Sequence, residues 1–278
     1  MMINAVRNGV GMLVVVLATL MPVVAQSQRD LSTQFNQLQP QPHAHNDYLH
    51  PRPLWDALQA GFSSVEADVF LVDGELLIAH SANEIKAERT LQALYLDPLR
   101  QRIAEQGGQV QATDASKPQP FWLLIDIKSE ALATYRQLHA VLAEYADILS
   151  SVEGDKVSPR AIQVVISGNR PQEFIATQSK RYCGIDGRLS DLNSTYPAHL
   201  MPMISDNWGL NFSWRGSSPM PPTEQKRLHT IVSQAHAQGR VVRFWATPEK
   251  EELWQVLVES GVDLINTDQL QQLSEFLR

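Results

Sequence analysis

The chain has 278 residues, with 30 acidic and 23 basic side chains and a net charge of −7. This acidity argues against binding to nucleic acid, which depends on clustered Lys and Arg, and weakly against electrostatic adsorption to anionic membranes. Cys183 is the one cysteine, so an internal disulfide is excluded and the fold must depend on its hydrophobic core.

The N-terminus has the features of a secretory signal peptide. Arg7 precedes an apolar run over residues 9–20, and small residues lead up to Ala25. We therefore predict a signal peptide over residues 1–25 and an exported protein, periplasmic or extracellular after cleavage. An uncleaved anchor helix is the alternative, although the run is short for a membrane span. Residues 26–41 are rich in Gln and Ser and are predicted to form a flexible lead-in.

Short apolar runs alternate with amphipathic stretches over residues 42–278. The runs that predict strands are 64–72, 74–80, 121–129, 161–168, 182–188, 199–206, 240–247 and 263–270. Helices are predicted within 131–149, 221–239 and 248–261. This alternation indicates a parallel sheet, and about seven or eight such units indicate an α/β fold with one irregular (β/α)8 TIM-type barrel domain. Residues 106–120 break the pattern as an irregular insertion.

Two predicted strands carry charges on the face that would point into the barrel. Because side chains alternate along a strand, Glu66 and Asp68 share one face of VEADV, as Asp126 and Lys128 do in LLIDIKS. Buried carboxylates are costly without compensation, which a hard divalent cation with oxygen ligands provides. We therefore predict that Glu66, Asp68 and Asp126 bind one Mg²⁺ or Ca²⁺. Salt bridges within the strand layer are the alternative.

Two histidines fall where barrel strands would end, and strand ends carry the active site in such barrels. His45 lies in the proline-rich, polar stretch QPHAHNDYLHPRP, and His80 ends ELLIAH. Histidine exchanges protons near neutral pH, so we predict that His45 and His80 act as acid and base. Lys128 and Arg243 are predicted to neutralise an anionic substrate. Together with a metal, these groups favour a phosphodiester substrate.

The order of these motifs resembles the glycerophosphodiester phosphodiesterase and phosphatidylinositol-specific phospholipase C superfamily. HAHNDY, SVEADVFLVDGELLIAHS, LLIDIK and GVDLINTDQL match its series of His-Arg-Gly, Glu-x-Asp-Val with Asp-Gly and His-Asp, Glu-Ile-Lys, and Gly-Val-Asp with Thr-Asp. HAHNDY, SDNW, RFWATP and INTD are most similar to the branch named after altered inheritance of mitochondria protein 6.

The resemblance implies attack on phosphorus by a neighbouring hydroxyl of the substrate, often giving a cyclic phosphate. It implies the same catalytic and metal-binding residues as the strand pattern, and it implies that Lys128 contacts the phosphate. The implied substrate is a small-molecule or lipid phosphodiester of the glycerophosphodiester or phospholipid type. Contact with a membrane is therefore expected only through the substrate.

Three departures from the family pattern bear on the substrate. Asn46 stands where the usual pattern has a phosphate-binding arginine. Candidates to replace that arginine are Arg52, Arg188 and Arg243. Ser81 stands where the usual pattern has an aspartate, and Asp126 replaces a glutamate, as in venom enzymes of the sphingomyelinase D type. We predict that Asn46 and Trp245 help to bind the substrate.

Two other functions remain open on the sequence. The first is a non-catalytic barrel that binds a lipid head group or glycan through a rim of Trp208, Trp214 and Trp245, although aromatic packing also explains these residues. The second is an amidohydrolase-type metal hydrolase, which the His-x-His pattern at residues 43–45 suggests. That class needs further metal-binding histidines after the middle strands, whereas the remaining histidines fall in helical or loop stretches.

Several polar residues have weaker predictions. His43 and His50 are predicted to lie in a loop. Asp186 and Arg188 share a strand face, as an ion pair or as substrate contacts, and Asp268 is predicted to brace the barrel mouth.

Overall fold

A closed barrel of parallel strands forms the centre of the molecule. The structure, a computed structural model, describes residues 40–111 and 119–278. Its strands, in chain order, are β1 (Gln41–Ala44), β2 (Ser64–Val72), β3 (Glu75–Ile78), β4 (Phe121–Ile127), β5 (Ser151–Glu153), β6 (Lys156–Ser158), β7 (Ile162–Gly168), β8 (Lys180–Arg181), β9 (Gly184–Gly187), β10 (Met203–Asn207), β11 (Val241–Trp245) and β12 (Leu264–Thr267). In these ranges, eight strands follow the order β1-β2-β4-β7-β9-β10-β11-β12, and pairing of β1 with β12 closes the barrel.

Helices connect and cover the strands. They are α1 (Trp55–Gln59), α2 (Asp97–Glu105), α3 (Ala131–Glu144), α4 (Gln172–Thr177), α5 (Trp208–Asn211), α6 (Pro222–Ala237), α7 (Glu251–Glu259) and α8 (Leu270–Phe276). Short 3₁₀ turns span Asp47–Leu49, Ala82–Glu84 and Leu189–Asn193, and a π-helical turn spans Gln92–Leu96. The predicted helices correspond to α3, α6 and α7, and α6 and α7 end just before Gly239 and Gly261, which adopt positive φ angles of 71° and 79°.

The barrel interior has an apolar layer below a polar layer. The apolar layer consists of Trp122, Leu124, Val165, Met203, Val241 and Leu264. Positions two residues further along five of these strands carry the polar side chains Asp126, Ser167, Ser205, Arg243 and Asn266. Because side chains alternate along a strand, each polar group points inward above its apolar partner, at the carboxyl end of the barrel. The opposite faces of the strands pack under the helices in the main hydrophobic core.

A hairpin adds one strand outside the closed barrel. β3 runs antiparallel to β2, and Val72 pairs with Glu75 across the two-residue turn Asp73–Gly74. Both turn residues have positive φ angles, 48° and 85°, as a tight two-residue hairpin requires. The hairpin reverses the chain so that His80, two residues after β3, returns to the mouth of the barrel.

The (β/α)8 barrel is confirmed, with three corrections to its strands. The run at 74–80 forms β3 of the hairpin and is not a barrel strand. The first barrel strand is instead β1, so His43 lies in a strand, where a loop was predicted, and Gln41 belongs to this strand and not to the lead-in. The small sheet of β5, β6 and β8 lies outside the barrel and was not predicted.

The predicted signal peptide (residues 1–25) and most of the lead-in lie outside the described residues, as do residues 112–118 of the predicted insertion. None of the helices in the described ranges is both long and apolar enough to cross a membrane.

Candidate active site

Three carboxylates meet at the carboxyl end of the barrel. Glu66, Asp68 and Asp126 each offer an oxygen within 4.8 Å of the others, and we call them the acidic cluster. The cause is strand register: Asp68 pairs directly with Asp126 between β2 and β4, and Glu66 precedes Asp68 on the same inward face. The predicted set of metal ligands is therefore brought together.

Lys128 forms ion pairs with two members of the cluster. Its Nζ lies 3.2 Å from both Asp68 Oδ2 and Asp126 Oδ1. Burial and the charge of Glu66 raise the pKa of Asp68 to about 6, and burial likewise raises the pKa of Asp126. Burial lowers the pKa of Lys128, but the charges of Asp126 and Asp68 outweigh it and raise that pKa. Lys128 therefore stays cationic at the edge of the cluster.

Arg243 holds the third carboxylate of the cluster. Its Nη2 donates to Glu66 Oε2 at 2.6 Å and its Nε to Asn266 Oδ1 at 2.9 Å. Burial raises the pKa of Glu66, but the adjacent Arg243 charge outweighs it and holds the pKa well below its usual range. Because Arg243 is buried and bound to Glu66, its predicted contact with substrate stays a prediction, and its visible role is to fix that carboxylate.

The cluster fits a hard divalent cation. Its three carboxylates carry one more charge than Lys128 and Arg243 neutralise. Asp68 is fully buried, and its Oδ1 has no hydrogen-bond partner. A buried anionic oxygen without a partner is costly, and Mg²⁺ and Ca²⁺ take such oxygens as ligands. Glu66, Asp68 and Asp126 are the residues that would hold the ion.

His45 is oriented by the carboxylate of Asp268, the residue that follows the last barrel strand. Its Nδ1 lies 2.7 Å from Asp268 Oδ1, and its backbone N–H donates to Thr267 at 3.0 Å. Glu249 in turn accepts a 2.8 Å hydrogen bond from the Asp268 backbone N–H. Burial lowers the pKa of His45, but the hydrogen bond to Asp268 and the charge of Glu66 outweigh it, so the pKa is raised. Asp268 does brace the mouth, and it does so through His45.

Tyr48 links His80 to the acidic cluster and was not predicted as a site residue. Its hydroxyl donates to Asp68 Oδ2 at 2.6 Å and lies 3.0 Å from His80 Nδ1. The tyrosine ring is buried, whereas the side chain of His80 is 55% exposed. The Asn46 side-chain oxygen, at 2.8 Å, and the Asp68 carboxylate compete for the single phenol proton. The charged carboxylate is the stronger acceptor and takes that proton, so His80 Nδ1 donates to the phenol oxygen. The only sequence signal for Tyr48 is its place in HAHNDY.

His43 lies inside the barrel beneath the cluster. Its Nδ1 lies 2.6 Å from Ser64 Oγ and its Nε2 3.5 Å from Glu66. Burial lowers its pKa to about 3, so the ring is neutral. The sequence shows that His43 and His45 are two residues apart and so lie near one face of a strand. It does not show that His43 is buried.

The remaining predicted contacts are divided between the mouth and the core. Asn46 adopts a left-handed turn with φ 47°, and its amide contacts Tyr48 and His45. Trp245 is half-buried at the end of β11. Trp208 is 0% and Trp214 7% exposed. The tryptophan-rich rim is therefore not formed, since two of its three members belong to the core.

Gly168 leaves the space that Asp126 occupies. It ends β7 with a φ of +67°, and a Cβ on it would lie 2.0 Å from Asp126 Oδ1 and 2.5 Å from the Ile127 carbonyl oxygen. Sequence reasoning did not single out this glycine.

Among the residues described, the one group of three or more potential metal ligands is the acidic cluster, so the histidine set of an amidohydrolase-type site is not assembled.

Comparisons with known proteins agree with this arrangement. The model of the AIM6-like phosphodiesterase domain family matches residues 32–186. That is more than half of the chain, which therefore belongs to this family, as its motifs predicted. The model of the glycerophosphoryl diester phosphodiesterase family matches residues 241–271, so the predicted superfamily is confirmed as well.

Individual relatives carry the same family name. An altered inheritance of mitochondria protein 6 homolog from Arthroderma benhamiae is 27% identical over 256 residues, covering 81% of this chain and 80% of the relative. Altered inheritance of mitochondria protein 6 from Eremothecium gossypii is 28% identical over 270 residues, covering 84% and 68%. The crystal structure of a glycerophosphodiester phosphodiesterase from Agrobacterium tumefaciens is 13% identical, with a TM-score of 0.48, and covers 85% of this chain and 98% of that one.

Proposed function

We propose that this protein is a metal-dependent phosphodiester hydrolase that acts on a glycerophosphodiester or phospholipid-type substrate by histidine acid–base catalysis. The observation that supports it best is the acidic cluster, whose oxygens lie within 4.8 Å of one another, with His45 and His80 beside it. Both histidines are bound through Nδ1, which leaves Nε2 of each ring for the substrate.

His80 acts as the general base. A ring that donates its Nδ1 proton to the Tyr48 oxygen carries a lone pair on Nε2 when neutral. The side chain is half-exposed at the mouth, where a substrate hydroxyl can reach it. Tyr48 thus fixes the tautomer that accepts a proton.

His45 acts as the general acid. The negative charge of Asp268 on Nδ1 favours the imidazolium form, in which Nε2 also carries a proton. The raised pKa of His45 has this cause and keeps the donor form populated near neutral pH.

The reaction balances with these two groups. His80 takes the proton from a hydroxyl of the substrate adjacent to the phosphate, and that oxygen bonds to phosphorus. The bond from phosphorus to the leaving oxygen breaks, and that oxygen takes the Nε2 proton of His45. The products are a cyclic phosphate and an alcohol, and hydrolysis of the cycle returns the protons in the opposite direction.

The other residues bind and hold charge. Mg²⁺ or Ca²⁺, when bound, supplies positive charge beside the phosphate oxygens. Lys128 contacts those oxygens from the edge of the cluster. Asn46 and Trp245 contact the rest of the substrate, and Arg243 keeps Glu66 ionised and in place. The protein is exported by its signal peptide and meets a membrane only through its substrate.

The test is product release from four phosphodiesters: glycerophosphocholine, lysophosphatidylcholine, phosphatidylinositol and bis-p-nitrophenyl phosphate. Each is incubated with EDTA, Mg²⁺ or Ca²⁺. The first three carry a hydroxyl beside the phosphate and the fourth carries none, so turnover restricted to the first three supports attack by that hydroxyl.

Matched variants test the residues. We expect His45→Gln to lose at least about 100-fold in kcat/KM, the range for loss of an acid–base catalyst. Asp68→Asn should also lower kcat/KM, because it removes a charged oxygen ligand of the metal. His229→Gln, an exposed histidine on α6, is the control and should keep full activity. Turnover that persists in EDTA, or a His45→Gln enzyme as active as the control, would contradict the proposal.

A further inference from the structure

Two arginines lie side by side at the mouth, next to the acidic cluster and across from the histidines. Arg188 follows β9, and its Nη2 lies 3.4 Å from Ser167 Oγ. Arg170 follows β7, and its Nη1 donates to the Gly168 carbonyl oxygen at 3.1 Å. Both guanidinium groups therefore contact consecutive residues of one strand. We call Arg170 and Arg188 the arginine pair.

The pair borders the acidic cluster directly. Gly168, which Arg170 contacts, is the residue against which the Asp126 carboxylate packs, within 2.0 Å of where a Cβ would lie. In the barrel, β7 lies between β4 and β9. Lys128, Arg170 and Arg188 consequently follow three neighbouring strands and form one cationic arc around the mouth.

Arg188 is held in place by a buried carboxylate. Its Nη1 donates to Asp186 Oδ2 at 2.6 Å and to Ser205 Oγ at 3.2 Å. Ser167 and Ser205 each donate to the same Asp186 oxygen at 2.7 Å. This network fixes the guanidinium on one edge, and the side chain keeps 26% of its surface exposed. The predicted Asp186–Arg188 ion pair is confirmed, but it leaves part of the arginine facing the mouth.

Arg170 has no carboxylate of its own among the described residues. Its contacts are the Gly168 carbonyl oxygen and the side-chain amide of Gln172, which accepts from Nε and Nη2 at 3.0 Å when its oxygen is turned toward the guanidinium. The charges of Asp186, Asp191 and Asp126 act on Arg170. Each of these carboxylates has other partners, since Asp186 pairs with Arg188, Asp126 pairs with Lys128, and Asp191 accepts the backbone N–H of Arg188. Asp206, which faces Arg188, accepts the backbone N–H of Leu189. Burial and the neighbouring Arg188 charge lower the pKa of Arg170. Two half-buried cations side by side are stabilised when an anion binds between them.

If the proposed function holds, the charges of the active site indicate that the arginine pair does not bind the phosphate that is cleaved. The acidic cluster, one divalent cation, Lys128 and Arg243 together carry one net positive charge. A single phosphodiester group neutralises that charge. The exposed edges of the arginine pair are then left for a different anionic group of the same ligand.

We propose that Arg170 and Arg188 form a second anion subsite, which binds a phosphomonoester group carried by the phosphodiester substrate. Two guanidinium forks match the oxygens of a tetrahedral dianion, and each donates charge-assisted hydrogen bonds. The substrate class is therefore a phosphodiester whose alcohol portion carries an additional phosphate.

The first experiment measures binding of inorganic phosphate by isothermal titration calorimetry to metal-free protein in EDTA at pH 7.5. Without a metal ion, the acidic cluster repels phosphate, and the difference between wild type and the Arg170 variants reports on the arginine pair, because Lys128 and His45 are unchanged in all of them. The variants are Arg170→Gln, Arg170→Lys and the control Arg136→Gln. Arg136 is an exposed arginine of α3 that stacks over Phe174. Arg188 is left intact because its loss would strand the buried Asp186 carboxylate without its cationic partner.

We expect the wild type and Arg136→Gln to bind phosphate equally. Arg170→Gln should weaken binding about 10- to 100-fold, the range for charge-assisted hydrogen bonds. The phosphate affinity of Arg170→Lys should lie between those of the wild type and Arg170→Gln, since lysine keeps the charge and loses the forked geometry of the guanidinium. Absence of phosphate binding by the wild type, or equal affinity in Arg170→Gln, would overturn the subsite. This result does not depend on turnover, so it stands or fails separately from the proposed function.

The second experiment compares kcat/KM for glycerophosphoinositol and glycerophosphoinositol 4-phosphate with added Mg²⁺ or Ca²⁺. We expect the wild type to prefer the phosphorylated substrate and Arg170→Gln to lose about 10- to 100-fold of that preference. A wild-type enzyme without the preference, but with phosphate binding, would mean that the pair binds free phosphate and would refute the substrate class. Equal losses on both substrates in Arg170→Gln would refute it too.

Discussion

The Tyr48 hydroxyl donates a 2.6 Å hydrogen bond to Asp68 Oδ2, at the centre of the acidic cluster. The hydroxyl oxygen of Tyr48 also lies 3.0 Å from His80 Nδ1. One buried phenol therefore orients both a proposed metal ligand and the proposed general base. In the absence of this phenol, Asp68 would be left with one ion pair, to Lys128, and one weak contact, to His80.

Substituting Tyr48→Phe removes the hydroxyl, with its contacts to Asp68, His80 and Asn46, and keeps the ring. We expect metal affinity to fall about 10- to 100-fold, the range for residues that support a metal ligand. We expect kcat to fall by a larger factor than KM rises, because Asn46 is the one proposed substrate contact that loses a hydrogen bond to the Tyr48 hydroxyl among the described residues. Tyr145→Phe is the matched control, since its hydroxyl binds Asp97 away from the mouth. Titration calorimetry with Mg²⁺ or Ca²⁺ and steady-state kinetics measure both effects, and equal behaviour of the two variants would refute this role of Tyr48.

Gly168 should be needed for the position of Asp126. In Gly168→Ala the new Cβ would overlap Asp126 Oδ1 at 2.0 Å and the Ile127 carbonyl oxygen at 2.5 Å. Because the second atom belongs to the backbone, relief requires a shift of β4 or β7 as well as of the carboxylate. We expect a loss of roughly 2–4 kcal/mol in the free energy of unfolding, from the φ penalty and the overlap together, and a weaker metal site.

The matched control for that variant is Gly154→Ala. Gly154 also has a positive φ, 59°, but nothing lies within 4 Å of its Cβ position. Gly154→Ala should lower the free energy of unfolding only by the cost of a positive φ at alanine, about 1 kcal/mol. It should leave metal binding unchanged. Urea denaturation gives both values, and a Gly168→Ala protein as stable as Gly154→Ala would show that the strand yields without cost.

The strands that carry the acidic cluster could be predicted because their chemistry is local. Alternation within VEADV and LLIDIK placed Glu66, Asp68 and Asp126 on inward faces, and the structure has them there. β1 could not be recognised in this way. Its sequence QPHA has one apolar residue. Its histidine is buried, and the polar ring is satisfied there by a hydrogen bond to Ser64, 21 positions away. Polar groups satisfied by distant partners leave no hydrophobic pattern.

The other contacts of the site could not be predicted because their partners lie far apart in the sequence. His45 meets Asp268 across 223 positions, and Arg243 meets Glu66 across 177. The sequence predicted that Arg243 neutralises an anionic substrate, but only strand closure shows that its guanidinium donates to Glu66. Tyr48 was missed for a similar reason, since a tyrosine near a histidine has many structural roles until its hydroxyl partner is known.

Metal binding should stabilise the fold. An ion that binds only the folded state adds about 2.7 kcal/mol to the free energy of unfolding at a concentration 100 times its Kd. We therefore expect Mg²⁺ or Ca²⁺ to raise Tm and EDTA to reverse the change. Asp126→Asn should abolish most of the increase, because it removes one charged oxygen ligand.

Differential scanning calorimetry with and without the ion measures this effect. Asp155→Asn is the matched control, since Asp155 is a fully exposed aspartate beside His199. It should keep the whole increase in Tm. Equal increases in Asp126→Asn and Asp155→Asn would mean that the ion binds elsewhere.

His236 should make stability depend on pH away from the active site. Its Nε2 lies 2.8 Å from Asp263 Oδ2, and this hydrogen bond raises its pKa in the folded state. The contribution is therefore complete below the unfolded pKa of about 6.5 and is lost as the pH rises through the higher folded pKa. We expect the gap in free energy of unfolding between wild type and His236→Gln to be larger at pH 5.5 than at pH 8.5. His229→Gln, an exposed neighbour on α6, should show no such trend. Urea denaturation at both pH values gives the comparison, and a gap that stays constant or grows with pH would refute the link.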